Sequence, residues 1–159
     1  MKILKKINNL LEAIMGIGIG LIMILVVIQV FFRYILEMPL IGPDALTRFT
    51  VIWVVLLGFA VLVRSNKHIS VTYFRELLND QIQKILRIIG HLIVASFSVI
   101  MLYYGFDLSL KAMIQITPET GIRMGYVDLA VPLAGLFGLM FTIENIVNEV
   151  KNQGTEVNY

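Results

Sequence analysis

The chain contains no cysteine, only two histidines and four prolines, and just 15% of its 159 residues are charged. Without cysteine there is no disulfide, thiolate metal site or cysteine nucleophile. His68 and His91 stand far apart in the sequence, and neither has neighbouring residues that would complete a metal-ligand set. No paired carboxylates occur at catalytic spacing. These gaps argue against a membrane enzyme, and no cofactor, metal or nucleic acid is expected. The shortage of charge is itself informative, because a soluble domain carries about a quarter charged residues. A net charge of +2 says little alone, since in a membrane chain the placement of Lys and Arg matters more.

What fills the gap is apolar sequence, 58% of the chain, gathered into long runs instead of spread at helical or strand period. The runs are AIMGIGIGLIMILVVIQVFF (13–32), FTVIWVVLLGFAVLV (49–63), IIGHLIVASFSVIMLYYGF (88–106) and LAVPLAGLFGLMFTI (129–143). Extended into their flanks, they predict one all-α membrane domain over 1–159, with spans at about 10–35, 44–63, 85–110 and 126–146. Pro43 suits a first helical position, and Asp44 suits the positive end of the second helix. Lys2, Lys5 and Lys6 ahead of an apolar run imitate a secretory signal. The run is too long for one, however, and FFRYILE offers no small-residue cleavage site, so a retained first helix is expected.

Basic residues set the orientation. With a cytoplasmic N-terminus, Lys2, Lys5, Lys6, Arg64, Lys67, Arg75, Lys84, Arg87 and Lys151 fall inside, while Arg33, Arg48, Lys111 and Arg123 fall outside. That bias predicts that both termini are cytoplasmic. Arg64 and Lys67 would then stop the second helix at the headgroups. Beyond them Val71, Phe74, Leu77, Leu78, Ile82 and Ile85 recur at roughly helical spacing, which predicts an interfacial amphipathic segment leading into the third span.

No ionisable carboxylate is forced into the bilayer centre. Glu12 and Arg33 bracket the first helix about 31 Å apart, and Arg87 and Asp107 bracket the third at about 30 Å. Asp128 and Glu144 bracket the fourth at about 24 Å. The polar residues left at depth are Gln29, Thr50, Trp53, His91, Ser96, Ser98 and Thr142. Pumps and ion-coupled transporters usually place carboxylates or broken helices there.

Several motifs have plain readings. GIGIG (16–20) lacks the spacing and the preceding strand of a nucleotide loop. Gly16 and Gly20 read as a small-residue packing face, as do Ala130, Ala134 and Gly138. Pro132 removes the helical bond to the carbonyl of Asp128 and predicts a mild kink. Asp44–Arg48 and Asp107–Lys111 are acid-first i,i+4 pairs at helix ends, suited to stabilising those ends or to facing a partner.

The order of these features is specific. Arg33 is followed by PLIGPDALTRFTVIW, then GFAVLVRSNKHISV, and later TPETGIRMGYVDLAVPLAGLFGLM. From its first helix through its fourth, the chain resembles the small, Q-type membrane subunit of tripartite ATP-independent periplasmic (TRAP) transporters. Asp44, Arg48, Trp53, Gly58, Arg64, His68, Ile69 and Val71 match that family's pattern, as do Thr117-Pro118, Tyr126 and Pro132. Ala45 stands where a second acidic residue is usual, and Thr72 where an aspartate is, so no role of those carboxylates carries over.

The resemblance implies a multi-pass protein of the bacterial cytoplasmic membrane with two protein partners. One is a large multispanning M-type permease bearing the substrate and sodium sites. The other is a periplasmic solute-binding protein that delivers an organic acid, of the sialic acid or dicarboxylate class. The small subunit would brace the large one in an elevator-type movement. Candidate contacts with partner or lipid are Asp44, Arg48, Trp53, Arg64, His68 and Tyr73. Candidate packing residues are Gly16, Gly20, Ala134 and Gly138. The rival reading is a self-contained four-helix exporter, which would need Glu12 as its membrane carboxylate although that residue sits barely past the lysines.

Overall fold

A computed structural model describes residues 2–38, 42–65 and 80–155, with side chains over 4–38, 42–65 and 86–147. Its regular elements are all helices: α1 (Lys2–Tyr34), α2 (Gly42–Arg64), α3 (Asp80–Ala112), a one-turn α4 (Met124–Asp128) and α5 (Ala130–Thr155). Four stretches are long and apolar enough to cross a membrane: Leu4–Tyr34, Gly42–Arg64, Leu86–Ala112 and Met124–Val147. At 33 residues α1 is about 50 Å long and overshoots a hydrocarbon core of about 30 Å, whereas the 23 residues of α2 nearly match it.

The helix ends follow local chemistry. After α1 the chain reverses through Glu37, held at φ 53°, while the Met38 amide donates to Phe32 O at 3.1 Å. The bond reaches back six residues, one more than in a Schellman motif, and the left-handed position is filled without glycine. At the start of α2 the Thr47 hydroxyl donates to Pro43 O at 2.8 Å. At its end Ser65 N–H bonds Val61 O and Leu62 O. Between α3 and α4 the chain makes a tight hairpin. Ile116 bridges Arg123, the Gly121 amide donates to Thr117 O at 2.8 Å, and Gly121 takes φ 68°, which an L side chain rarely adopts. The helix α4–α5 is interrupted at Leu129, three residues before Pro132. Leu129 stays in the αR region, so the lost bond expected from Pro132 appears as a one-residue break in the helix.

The spans pack as a row, with α1 on α2, α2 on α5 and α5 on α3. Along α1, Leu4, Asn8, Leu11, Met15, Gly18, Ile22, Leu25, Gln29 and Phe32 face inward in an unbroken alternation of four and three, with Ile7 beside them at the Arg64 end. That 3.5-residue repeat is the seam of a coiled coil. The core lies towards the Arg64 end, where Leu11, Leu57, Ala60, Val63 and Phe141 are buried and Leu4, Ile7, Trp53, Val94 and Phe137 close over them. Of the amphipathic segment expected after α2, residues 66–79 lie outside the described residues, and from Asp80 onward the chain belongs to α3.

Candidate functional site

The polar chemistry falls into three levels. At the Arg64 end, Arg64 Nε lies 3.3 Å from Glu144 Oε2, and the guanidinium carbon sits 5.5 Å from the Phe141 ring centroid. Asn145 Nδ2 donates to Val63 O at 2.8 Å, satisfying one of the carbonyls that the end of α2 leaves open. Arg64, expected to stop α2 at the headgroups, closes that helix end against Glu144, because α2 and α5 run in the same direction and their ends meet. On α1 at this end, Asn8 Nδ2 donates to Glu12 Oε1 at 2.6 Å.

At mid-depth the polar side chains mostly bond their own helices. Thr50 donates to Leu46 O and Thr142 to Gly138 O, each at 2.8 Å. Gln29 is different, since its Nε2 donates across the α1–α2 seam to Thr47 Oγ1 at 2.8 Å. Ser98 is fully buried, and its hydroxyl has no hydrogen-bond partner among the described residues. Trp53 packs against the core cluster and His91 is buried.

At the Asp44 end, one nitrogen of Arg48 reaches Asp44 Oδ2 at 2.7 Å and Glu119 Oε2 at 3.2 Å, so the expected i,i+4 pair also captures the hairpin. Lys111 and Asp107 pair at 2.6 Å. Tyr34, Tyr103, Tyr104 and Tyr126 are exposed around this end, an aromatic collar of the kind that sits at a membrane–water boundary.

The four candidate packing residues divide. Ala134 is fully buried, and a Cβ on Gly138 would meet Ser98 Oγ at 2.8 Å and Phe59 at 3.1 Å, so both lie inside the chain. Gly135, which the sequence reading passed over, is tighter still. A Cβ there would fall 2.7 Å from Ser98 O and 2.8 Å from Leu102 N. A Cβ on Gly16 or Gly20 would meet nothing within 4 Å among the described residues; α1 comes close to α2 at Gly18, whose added Cβ would meet Val54. Two residues turn a helix by about 200°, so Gly16 and Gly20 look away from the seam. His68 and Tyr73 lie outside the described residues.

Sequence reasoning placed Glu144 at the end of the fourth span but missed its pairing with Arg64, and it missed Glu119, Asn145 and the link between Gln29 and Thr47. The second and fourth spans cross in one direction, so Arg64 and Glu144 had to end on one side. That was the available signal for their pairing. Among the described residues no group of three or more His, Asp or Glu is placed to hold a metal.

A row of four spans, tied at both ends by ion pairs and packed through glycine, describes a multi-pass helical membrane subunit. The chain belongs to the DctQ component of the tripartite ATP-independent periplasmic transporters, whose family model matches residues 22–152. It is therefore a small TRAP permease subunit of the inner membrane, a transporter component of a family that works with a large permease subunit. Over 154 residues it is 24% identical to the sialic acid TRAP transporter small permease protein SiaQ of Vibrio cholerae, covering 95% of this chain and 88% of that one. Over 138 residues it is 25% identical to the sialic acid TRAP transporter permease protein SiaT of Haemophilus influenzae. That match covers 87% of this chain but only 22% of the relative, which carries a region like this one inside a much longer permease polypeptide.

Proposed function

We propose that this subunit is the static brace of a sodium-coupled, binding-protein-dependent importer of an organic acid, with both termini in the cytoplasm. The two relatives named for sialic acid favour that substrate class over dicarboxylates. In this reading the large permease carries the substrate and sodium sites, and a periplasmic binding protein delivers the acid to the Asp44 side.

The observation that carries the reading is the unequal use of the outer helices. The free side of α3 bears large side chains, among them Ile93, Ile100, Tyr103 and Tyr104, which suits lipid and its aromatic boundary. The free side of α1 is indented at Gly16 and Gly20, where a neighbouring backbone can approach closely. We assign that side to the large permease, in keeping with the covalent union of the two kinds of segment in the longer relative.

Reconstitution tests it. In liposomes this chain alone moves no sialic acid, whereas with its cognate large permease and binding protein a sodium gradient drives uptake. Robust flux through the purified chain alone overturns the brace. Orientation is tested separately with single cysteines in the cysteine-free chain. A cysteine at Asn66 resists a membrane-impermeant reagent in intact cells, and one at Thr120 reacts.

A further inference from the structure

The two ends of α2 are tied to their neighbours in different ways. At the Arg64 end the tie is withdrawn from water: the side chains of Arg64 and Glu144 are only 19% and 9% exposed, a ring covers the guanidinium, and Asn145 closes the backbone. At the Asp44 end Arg48 is 61% exposed and Glu119 33%. The hairpin that carries Glu119 has a firm base, because Ser109 Oγ donates to Gly125 O at 2.8 Å in a buried contact and Met124 N–H donates to Gln115 O at 2.9 Å. Its tip is another matter. Among the described residues the polar link from tip to α2 is Arg48 to Glu119, and Asp44 competes for the same Arg48 nitrogen. Exposed ion pairs are weak and screened by salt, while buried ones are screened much less.

We propose that the hairpin over residues 113–123 is a latch, hinged on α3 and held to α2 by a releasable ion pair, while the Arg64 end of the same helix stays welded. Release of Arg48 by Glu119 leaves Arg48 satisfied by Asp44, so the open state strands no charge. The shared nitrogen is what makes the latch reversible at low cost. It confines movement of the row to one end and leaves the α2–α5 packing at the other intact.

Double electron–electron resonance on the full chain in lipid nanodiscs tests this, with spin labels placed on introduced cysteines. One pair, at Leu46 and Thr120, spans the latch; a second pair, at Leu62 and Ile146, spans the weld. Between 0.05 M and 1 M salt, where the Debye length falls to about 3 Å, the latch distances lengthen and broaden while the weld distances stay fixed. At low salt Arg48→Gln and Glu119→Gln each reproduce the open latch without touching the weld pair. Distances across the latch that ignore both salt and the two substitutions overturn the proposal. Equal responses at the two ends also overturn it.

Discussion

Helices α1 and α5 are both apolar spans with glycine in them, yet they solve different problems. Of the most apolar stretch within the span Met124–Val147, which is mostly α5, 44% is buried inside the chain; of that within Leu4–Tyr34 in α1, none is. Gly135 of α5 lies where two backbones already touch, against Ser98 and Leu102, and Gly138 packs against the side chains of Ser98 and Phe59. Those of α1 lie on both sides, Gly18 against α2 and Gly16 and Gly20 against nothing among the described residues. In a membrane a small residue marks a place where a helix can come close, but it does not say whose helix. The inner helix spends its glycines on folding, and the outer one keeps two of them for something else.

The comparison predicts the largest effect at Gly135. A Leu there must displace backbone atoms of α3, since a Cβ alone would lie 2.7 Å from Ser98 O. Overpacking of this kind costs about 1–3 kcal/mol and occasionally more, and here backbone has to move. Gly135→Leu should lose folded protein, measured as the yield of monodisperse chain and its thermal midpoint in detergent. Gly16→Leu and Gly20→Leu should leave both unchanged and weaken co-purification with the large permease. If all three substitutions behave alike, the distinction between inner and outer glycines is gone.

Next in size is the pair at the Arg64 end. Removing one member of a fully buried ion pair costs about 3–5 kcal/mol, because the other charge is left without a partner. This pair is only part-buried, so its loss should fall below that range. Arg64→Gln and Glu144→Gln should each lower the thermal midpoint sharply. The reversed pair, Arg64→Glu with Glu144→Arg, should recover a good part of the loss. Recovery distinguishes a true pairing from two separate roles at the headgroups. The same changes at Arg48 and Glu119 should cost far less, within the 0–1 kcal/mol usual for exposed pairs.

The span count and helical class were legible because apolar runs of that length have few other uses. The Asp44–Arg48 and Asp107–Lys111 pairs were legible for a similar reason, since i,i+4 spacing on a helix is fixed by geometry alone. What the sequence hid were contacts between helices. Glu119 and Arg48 are 71 positions apart, Glu144 and Arg64 80, and no local rule brings them together. The direction in which Gly16 and Gly20 face was hidden too. A run in which nearly every residue is apolar gives no contrast between its sides, so the seam at 4, 8, 11, 15 and onward shows only once α2 lies against it. Polar residues within such a run are the exception, and Gln29 is one.

Gln29 supplies the smallest predicted effect and the sharpest test of that seam. It occupies a position of the 3.5-residue repeat, and it bonds Thr47, whose own hydroxyl is already donated to Pro43 O. Hydrogen bonds between membrane helices average about 0.6 kcal/mol, because the separated helices also find partners. Gln29→Leu should therefore barely change the stability of the chain. What it removes is a marker of register, the role that a lone polar residue plays in a coiled-coil seam. With Leu at 29 the seam is apolar from Leu11 to Phe32 and tolerates sliding. Disulfide trapping between introduced cysteines at Ile22 and Val51 or Val55 should then pass from one dominant product to a mixture, with the thermal midpoint almost unmoved. A single unchanged product would mean that Gly18 against Val54 sets the register alone.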